Sequence, residues 1–274
     1  MMLHPQTGEI FCFNKPYALT SFRVVSRVRG ILCNRLGTKK LAVGHAGTLD
    51  PLATGVLIVC TGRATKQIDT LQAGTKEYIA QLRLGATTPS FDRETEEDQT
   101  FPTDHLSREL IEQTLPRFVG RIEQVPPAFS AVKVDGKRAF KMARKGKDVE
   151  LKPKVLVIDE LELLDCDLTP AVPATERPAA ISIKHLSDEQ LQALRQQPPI
   201  TGFPTLTLRV VCSKGTYIRA LARDIGEALG TGAYLSGLIR TRVGQYRLAD
   251  CLDPDQFEQY VDAHGVAQPS TPNT

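Results

Sequence analysis

The segment 44–60 constrains this 274-residue chain more than any other part of its sequence. Its first part, GHAGTLDPLATG, contains three glycines and the dipeptide Asp50-Pro51, and an uninterrupted apolar run, VLIVC, follows. Glycine permits tight turns, and a proline biases the residue before it away from helical backbone angles. A short apolar run after a glycine is typical of a buried strand. The segment therefore predicts a stiff loop that presents the Asp50 carboxylate, with His45 close by in sequence, anchored by a core strand.

Apolar patterns in the rest of the chain mix the helical and strand periods. Residues 20–32 and 216–229 carry apolar side chains at helical spacing, and Thr20 or Ser21 can cap the first of these helices. Residues 75–84 alternate as a strand does, with Tyr78 on the apolar face. Further strands are predicted at 9–13, 118–125, 155–164, 205–213 and 238–246, and short helices at 64–71, 106–115 and 138–145. Because helices and strands follow one another without regular alternation, the predicted class is α+β.

The charge of the chain is segregated, although its total is small. The net charge is +3, from 34 basic and 31 acidic side chains, which by itself does not indicate a nucleic-acid partner. Residues 133–154, however, contain nine lysines and arginines against three acidic residues, and acidic residues are concentrated at 92–98. Such a local basic run is what a surface that binds a polyanion requires.

Features of targeting and metal binding are missing from the sequence. Residues 1–9 are polar and interrupted by Pro5 and Gly8, unlike a signal peptide, and no apolar run approaches the ~20 residues that span a bilayer. The six cysteines form no C-x-x-C pair, which argues against zinc and thioredoxin-type chemistry. We therefore expect a cytoplasmic protein with reduced, mostly buried thiols and no bound metal.

Asp50 alone leaves several interpretations open. An aspartate before a proline commonly accepts hydrogen bonds from backbone amides in an ordinary turn. A phosphate-binding loop is excluded because the G-x-x-x-x-G-K-[ST] spacing is absent. A glycosidase would need a second convergent carboxylate, and the sequence nominates none.

The segment 44–55 closely resembles the catalytic signature of the TruB-type pseudouridine synthases, a family that includes the guide-directed Cbf5/dyskerin enzymes. The resemblance covers residues 9–246 except 165–204. It departs at Ala18, where the family usually has glycine, and at Leu19, where it often has methionine. Four other segments resemble further family blocks in the expected order, namely 14–16 (NKP), 76–78 (KEY), 212–219 (CSKGTYIR) and 238–244 (LIRTRVG).

The resemblance implies the pseudouridine synthase fold, a mixed and mostly antiparallel central sheet with flanking helices. Residues 1–250 would form the catalytic domain, and the basic segment 133–154 would be its RNA-gripping insertion, called the thumb. The Pro-rich segment 165–204 reads as an insertion without a family counterpart. The tail, 251–274, is shorter than the ~50 residues of even a small domain, so we expect no C-terminal PUA domain.

The resemblance also implies roles for individual residues. Asp50 matches the essential aspartate, which acts on the ribose as nucleophile or as proton acceptor, and the sequence does not choose between them. Arg219 matches the arginine that partners this aspartate and lowers its pKa. Tyr78 matches the tyrosine whose ring stacks on the flipped uracil and whose hydroxyl can assist proton transfer. Five more residues match positions that bind the substrate, namely His45, Tyr217, Leu238, Lys66 and Lys15.

Plainer interpretations of these residues remain open. Tyr78, Tyr217 and Leu238 could be core side chains, and a lone histidine such as His45 is usually structural or solvated. The basic residues of the thumb could form a merely solvated surface.

The activity that the resemblance implies is isomerisation of uridine 55 in the T-loop of tRNA. The enzyme would flip the base, break the C1′–N1 bond and form a C1′–C5 bond, without a cofactor, as a monomer with no obligate protein partner. Two alternatives are a guide-RNA-dependent rRNA enzyme of the Cbf5/dyskerin kind and a non-catalytic RNA-binding or RNA-chaperone protein.

Overall fold

The described chain divides into two units, one formed by residues 2–76 and 239–268 and the other by the described residues between 77 and 238. Most of the Pro-rich segment expected at 165–204 lies outside the described residues. The computed structural model of the protein describes residues 2–134, 136–146, 149–168, 180–181 and 202–268.

The helices and strands of the described residues are numbered here in chain order. The strands are β1 (Ile10–Lys15), β2 (Val43–His45), β3 (Thr54–Thr61), β4 (Lys76–Leu84), β5 (Ala86–Thr87), β6 (Gln99–Thr100), β7 (Gly120–Gln124), β8 (Lys133–Val134), β9 (Lys137–Arg138), β10 (Lys154–Asp167), β11 (Thr205–Cys212), β12 (Ala233–Val243) and β13 (Tyr246–Arg247). The α-helices are α1 (Ser21–Leu36), α2 (Ile68–Ala73), α3 (Arg108–Thr114), α4 (Ala139–Ala143), α5 (Ile218–Ala228) and α6 (Phe257–His264). Short 3₁₀ helices occupy Gly62–Gln67, Leu115–Phe118 and Leu248–Asp250.

Strand β3 is central to the sheet of the first unit. Both β1 and β2 pair with it in antiparallel orientation, whereas the end of β12 runs parallel to it, with Ile239 opposite Thr54 and Arg240 opposite Gly55. Every residue of β3 after Thr54 is buried. This confirms the core strand that the apolar run predicted.

Aromatic packing joins α6 to the first strand. The ring of Phe257 lies edge-on to Phe11 and to Phe13 of β1, with ring centroids 5.1 Å apart in both pairs. Such pairs contribute about 0.5–1.5 kcal/mol each beyond the area that they bury. The sequence predicts no helix or strand after residue 246, because α6 buries only Phe257 and Val261 and so carries a weak periodic pattern.

Helix α1 forms as the sequence predicted. The Thr20 hydroxyl oxygen accepts a hydrogen bond from the Arg23 N–H at 3.1 Å, as an N-cap does, and the helix ends before Gly37, whose φ is 61°. Its apolar stripe packs into the core of the first unit together with Phe11 of β1. The cap places Ser21, the first helical residue, in a buried position. The stripe consists of Val24, Val25, Val28 and Leu32.

The sheet of the second unit follows the order β12, β4, β11, β10, β7, with β12 contributing its first residues here and its last residues to the first unit. Strand β10 pairs antiparallel with β11 and with β7. Arg209 of β11 forms ion pairs with Glu77 of β4 at 2.9 Å and with Glu160 of β10 at 2.6 Å. The alternation predicted for β4 is confirmed, since its buried residues include Tyr78, Ala80, Leu82 and Leu84.

The α+β class is confirmed, with a mixed, mostly antiparallel sheet and flanking helices. Strand β12 begins several residues earlier than predicted. No helix within the described ranges is long and apolar enough to cross a membrane.

Candidate active site

The Asp50 loop, defined as residues 46–53, connects β2 to β3. It begins where the Ala46 N–H donates to a carbonyl oxygen of β3 at 2.9 Å. It ends in a turn in which the Ala53 N–H donates to the carbonyl oxygen of Asp50 at 3.1 Å. Gly47 has a φ of 102°, a backbone angle that a side chain would strain. Asp50 is half-buried, so the loop presents its carboxylate from a constrained backbone.

Lys15 is fully buried and contacts the loop directly after Asp50. Its Nζ atom donates to the carbonyl oxygens of Leu19 at 2.7 Å, Pro16 at 3.0 Å and Pro51 at 3.3 Å. The lysine is 0% exposed, and a buried ammonium group requires such acceptors because it has lost its water. These contacts hold the backbone of the Asp50 loop, and the substrate contact that the resemblance implies for Lys15 stays a prediction.

Ser21 fixes the residue just before Asp50. The hydroxyl of Ser21 donates to the carbonyl oxygen of Leu49 at 2.9 Å and accepts from the N–H of the same residue at 2.9 Å. Both residues are buried. A hydroxyl that satisfies both backbone groups of one residue fixes the orientation of that peptide, and so of the carboxylate that follows.

Arg240 binds the first half of the loop through its guanidinium group. Its Nε donates to the carbonyl oxygen of Val56 at 2.8 Å, and its two terminal nitrogens donate to those of Thr48 and Gly47, each at 3.3 Å. The side chain is 2% exposed. Gly55 permits the backbone of Arg240 to lie this close to β3, because a Cβ there would lie 2.2 Å from the carbonyl oxygen of Arg240. The rigid fork of the guanidinium spans three acceptors that a lysine could not reach together.

His45 lies at the end of β2, half-buried beside the Asp50 loop. Burial lowers its pKa below the ordinary value of 6.5, the positive charge of Arg240 lowers it further, and a backbone hydrogen bond with Gly47 partly opposes both. The imidazole is therefore neutral near pH 7. Its Nδ1 is buried without a hydrogen-bond partner in the described part of the chain, which leaves one polar atom for another partner.

Lys66 is exposed in the 3₁₀ helix Gly62–Gln67. The structure therefore brings Lys15 to the backbone of the Asp50 loop, while among the described hydrogen bonds none joins the Lys66 ammonium group to it. A contact from Lys66 to phosphate stays a prediction.

Arg219 lies in the first turn of α5, within the second unit, and is 5% exposed. Its terminal nitrogens donate to the carbonyl oxygens of Ser90 and Phe129, both at 3.1 Å, and its Nε lies 3.5 Å from an Asp92 carboxylate oxygen. A buried guanidinium needs a counter-charge of this kind. Arg219 is therefore a buried and paired charge.

Asp92, in the second unit, is the counter-charge of Arg219 and was not among the predicted site residues. Its Oδ1 accepts from the Ser90 hydroxyl at 2.6 Å and from the Glu94 N–H at 2.9 Å, while Oδ2 faces Arg219. In the sequence, Asp92 is conspicuous only as part of the acidic run 92–98. Its nearest sequence signal is the S-x-D spacing, which suits a serine hydroxyl that bonds to a carboxylate two residues on.

Three further predicted residues lie in the second unit. Tyr78 of β4 is 8% exposed and Leu238 of β12 is 9% exposed, so both point to the buried faces of their strands. Tyr217 is half-buried and precedes α5 as its N-cap residue. Their burial suits either core packing or the lining of a nucleotide pocket, so the substrate-binding roles stay predictions.

The described part of the thumb, 133–134, 136–146 and 149–154, contains the short β8–β9 ladder and α4. Backbone hydrogen bonds fix its position, from Ala139 to the carbonyl oxygen of Val132 at 2.7 Å and from Phe140 to that of Ser130 at 3.0 Å. The basic side chains of its described residues are exposed. Exposed lysines and arginines can contact phosphates without rearranging the fold.

Arg240 and Ser21 are the other positioning residues that the sequence analysis did not single out. A signal for Arg240 was present, because the two-residue period of β12 puts it on the same inward face as Leu238. A charged residue at an inward position is rare unless it is paired. For Ser21 the sequence contains only a cap-like serine beside Thr20, and no local pattern indicates its contact with Leu49.

Family models match most of the chain. Residues 34–184 match the model described as "TruB family pseudouridylate synthase (N terminal domain)". Residues 219–268 match the model described as "tRNA pseudouridylate synthase B C-terminal domain".

The chain is also similar to named proteins over nearly its whole length. A protein of Bacteroides thetaiotaomicron named tRNA pseudouridine synthase B is 58% identical over 94% of this chain and 95% of its own length. Proteins of the same name from Flavobacterium johnsoniae and Thermus thermophilus are 41% and 44% identical, over 92% and 87% of this chain and 95% and 74% of their own lengths.

Among solved structures, the crystal structure of a Cbf5-Nop10-Gar1 complex contains a similar chain. The TM-score is 0.61 at 27% identity, and the alignment covers 94% of this chain but only 55% of that chain. The family models and the identities of 41% and 58% over more than nine-tenths of the sequence lead to one conclusion. This chain belongs to the TruB family of pseudouridylate synthases.

Proposed function

We propose that this chain isomerises uridine to pseudouridine at position 55 in the T-loop of tRNA. The observation that carries the proposal is the Asp50 loop, in which Lys15, Ser21 and Arg240 fix the backbone on both sides of one carboxylate. Such preorganisation suits a group that must attack, or accept a proton from, one particular atom.

The reaction changes bonds within one nucleotide. The C1′–N1 bond breaks, the uracil rotates, and a C1′–C5 bond forms; C5 then releases its proton and N1 takes one up, so the composition of the RNA is unchanged. Asp50 acts on the ribose as nucleophile or as proton acceptor. Because the product is an isomer of the substrate, and the formal reduction at C1′ is balanced by the oxidation at C5, the reaction needs no redox partner.

The target base must leave its stack before Asp50 can reach the ribose. Tyr78 offers an aromatic face for the flipped uracil and a hydroxyl for proton transfer. A neutral His45, half-buried beside the Asp50 loop, contacts the RNA near the position that the flipped base leaves. The thumb binds phosphates, which contributes affinity that falls with salt.

The comparisons favour tRNA over guided rRNA as the substrate. The relatives at 41–58% identity are named tRNA pseudouridine synthase B, and the Bacteroides and Flavobacterium proteins match this chain along almost their whole lengths. The Cbf5 chain is 27% identical, and the alignment covers only 55% of it. Action as a monomer in the cytoplasm, without a guide RNA or an obligate protein partner, stays part of the proposal.

The test is to incubate the purified chain with an unmodified tRNA transcript, without guide RNA, and to map pseudouridine at each nucleotide. We expect modification at uridine 55 alone. A transcript with cytidine at position 55 is the matched control and should remain unmodified. RNA binding without pseudouridine would contradict the proposal; activity restored by a guide RNA would then favour the guided alternative, and continued inactivity the binding protein.

A further inference from the structure

The side-chain amide of Gln124 makes a two-way contact with the backbone of Tyr217. Gln124 is the last residue of β7, and its side chain is almost completely buried. Its Oε1 accepts from the Tyr217 N–H at 2.9 Å, and its Nε2 donates to the Tyr217 carbonyl oxygen at 3.2 Å. The amide therefore pairs with one residue of the chain as a neighbouring strand would.

The contact lies where α5 begins. Tyr217 is the N-cap residue of α5, and its own side chain caps no N–H of the helix. The first N–H groups of a helix lack partners within the helix, so its start is fixed mainly by external contacts. Gln124 supplies one such contact, by accepting from the Tyr217 N–H. Its own backbone is held in the sheet, where it lies opposite Lys154 of β10.

The segment after Gln124 is attached to the same helix at two more points. Arg223 of α5 donates to the carbonyl oxygen of Val125 at 3.1 Å, and Arg219, one turn earlier, donates to that of Phe129 at 3.1 Å. Phe129, an acceptor for Arg219, therefore lies on the segment that begins at Gln124. Gln124 in turn holds Tyr217 at the N-terminus of α5.

We infer that Gln124 is a positioning residue for Arg219, an inference that rests on the proposed function. Arg219 follows Tyr217 by two residues, so a shift at Tyr217 moves the guanidinium relative to its acceptors. A misplacement of about 1 Å in a catalytic group can lower a rate about a hundredfold. Gln124 touches neither ribose nor base and acts through the helix.

The experiment compares Gln124→Met with Gln81→Met. Methionine preserves length and loses both hydrogen bonds. The control loses one side-chain hydrogen bond in the same unit, because the Gln81 side chain accepts from the hydroxyl of Ser236 on β12 at 3.2 Å. Three quantities are measured for each variant, namely the single-turnover rate constant at saturating enzyme, the Kd for tRNA and the Tm. The rate constant at saturation does not depend on the folded fraction, so a merely structural role would not change it.

We expect Gln124→Met to lower the rate constant at least about tenfold. Its Kd for tRNA should stay within about twofold of the wild-type value, and its Tm should be close to that of Gln81→Met. Gln81→Met should keep the wild-type rate constant. Gln124→Glu, which retains an acceptor for the Tyr217 N–H, should lose less and serves if the methionine variant does not fold. A wild-type rate in the Gln124 variants, or an equal loss in the control, overturns the inference while the proposed function stands. A wild-type enzyme that forms no pseudouridine overturns both.

Discussion

The Nζ atom of Lys15 lies 3.3 Å from the carbonyl oxygen of Pro51, the residue directly after Asp50. This links the end of β1 to the backbone that presents the candidate catalytic carboxylate. The same ammonium group donates to Leu19, just before the cap of α1. Strand, helix start and loop therefore meet at one buried positive charge.

Replacing Lys15 by methionine should therefore disturb the backbone of the Asp50 loop and leave tRNA binding unchanged. Three carbonyl oxygens would lose their donor, which together costs at least about 3 kcal/mol before the surrounding structure relaxes and recovers part of it. We expect a free energy of unfolding lower by about 1–3 kcal/mol and a single-turnover rate lower by about 10–100-fold, with unchanged tRNA affinity. Urea unfolding and single-turnover assays measure the two effects. The exposed lysine variant Lys40→Met is the control; a Lys15→Met rate equal to that of the control would contradict the positioning role.

The stability of the protein should depend on pH through His45. Its pKa is lowered in the folded state, so below the ordinary histidine pKa the unfolded chain binds a proton that the folded chain does not. The contribution of His45 is thus complete above that ordinary value and is lost as pH falls toward the lowered one. Between pH 7.5 and pH 5.5, which lie on either side of the ordinary histidine pKa of about 6.5, the free energy of unfolding should fall less for His45→Asn than for wild type. The exposed His4→Asn control should follow wild type; identical pH profiles for all three would refute the prediction.

Ala18 occupies a backbone conformation that favours glycine. Its φ is 59° and it is buried, which costs an L-residue roughly 1–2 kcal/mol. Ala18→Gly should stabilise the protein by about 0.5–1 kcal/mol after the entropy that glycine adds to the unfolded chain, and thermal unfolding measures it. Gly55→Ala is the opposite change, at a φ of 106° and with a Cβ 2.2 Å from a backbone oxygen. It should destabilise by about 3 kcal/mol or more; a destabilised Ala18→Gly would show that the strain is absent.

The thumb should account for part of the salt dependence of tRNA binding. Each phosphate contact contributes about 0.7–0.9 to the slope of log Kd against log salt concentration. Replacing the exposed residues Lys137, Arg138 and Lys141 by glutamine should therefore reduce the slope by roughly two, as titrations at several salt concentrations can measure. The same change at Lys39 and Lys40 should leave the slope unaltered. Equal slopes in wild type and the thumb variant would mean that the thumb is only a solvated surface.

The periodic parts of the fold were accessible from the sequence. In α1 and β4 the apolar residues recur at the period of a helix or a strand, so the sequence pattern predicts which face is buried. Helix α6 was not accessible, because its place depends on the contact of Phe257 with Phe11 and Phe13, which are distant in sequence.

The candidate site divides in the same way. Asp50 became a candidate because Pro51 restricts the backbone before it and glycines allow tight turns around it, and the family blocks led to Tyr78 and Arg219. The partners of these groups were not predictable from local patterns. Asp92 meets Arg219, and Arg240 meets Gly47, only when strands and loops far apart in sequence fold together.

In the proposed reaction the Asp50 carboxylate carries the chemistry, and one comparison of two variants tests this directly. Asp50→Asn preserves the size of the side chain and removes its charge, and Asp104→Asn is the matched control at an exposed aspartate. Pseudouridine at uridine 55 is quantified for both variants under single-turnover conditions, with tRNA binding measured in parallel. We predict that Asp50→Asn binds tRNA as wild type does and loses at least about a thousandfold in rate, while Asp104→Asn is unaffected. Appreciable pseudouridine formation by Asp50→Asn would contradict the account.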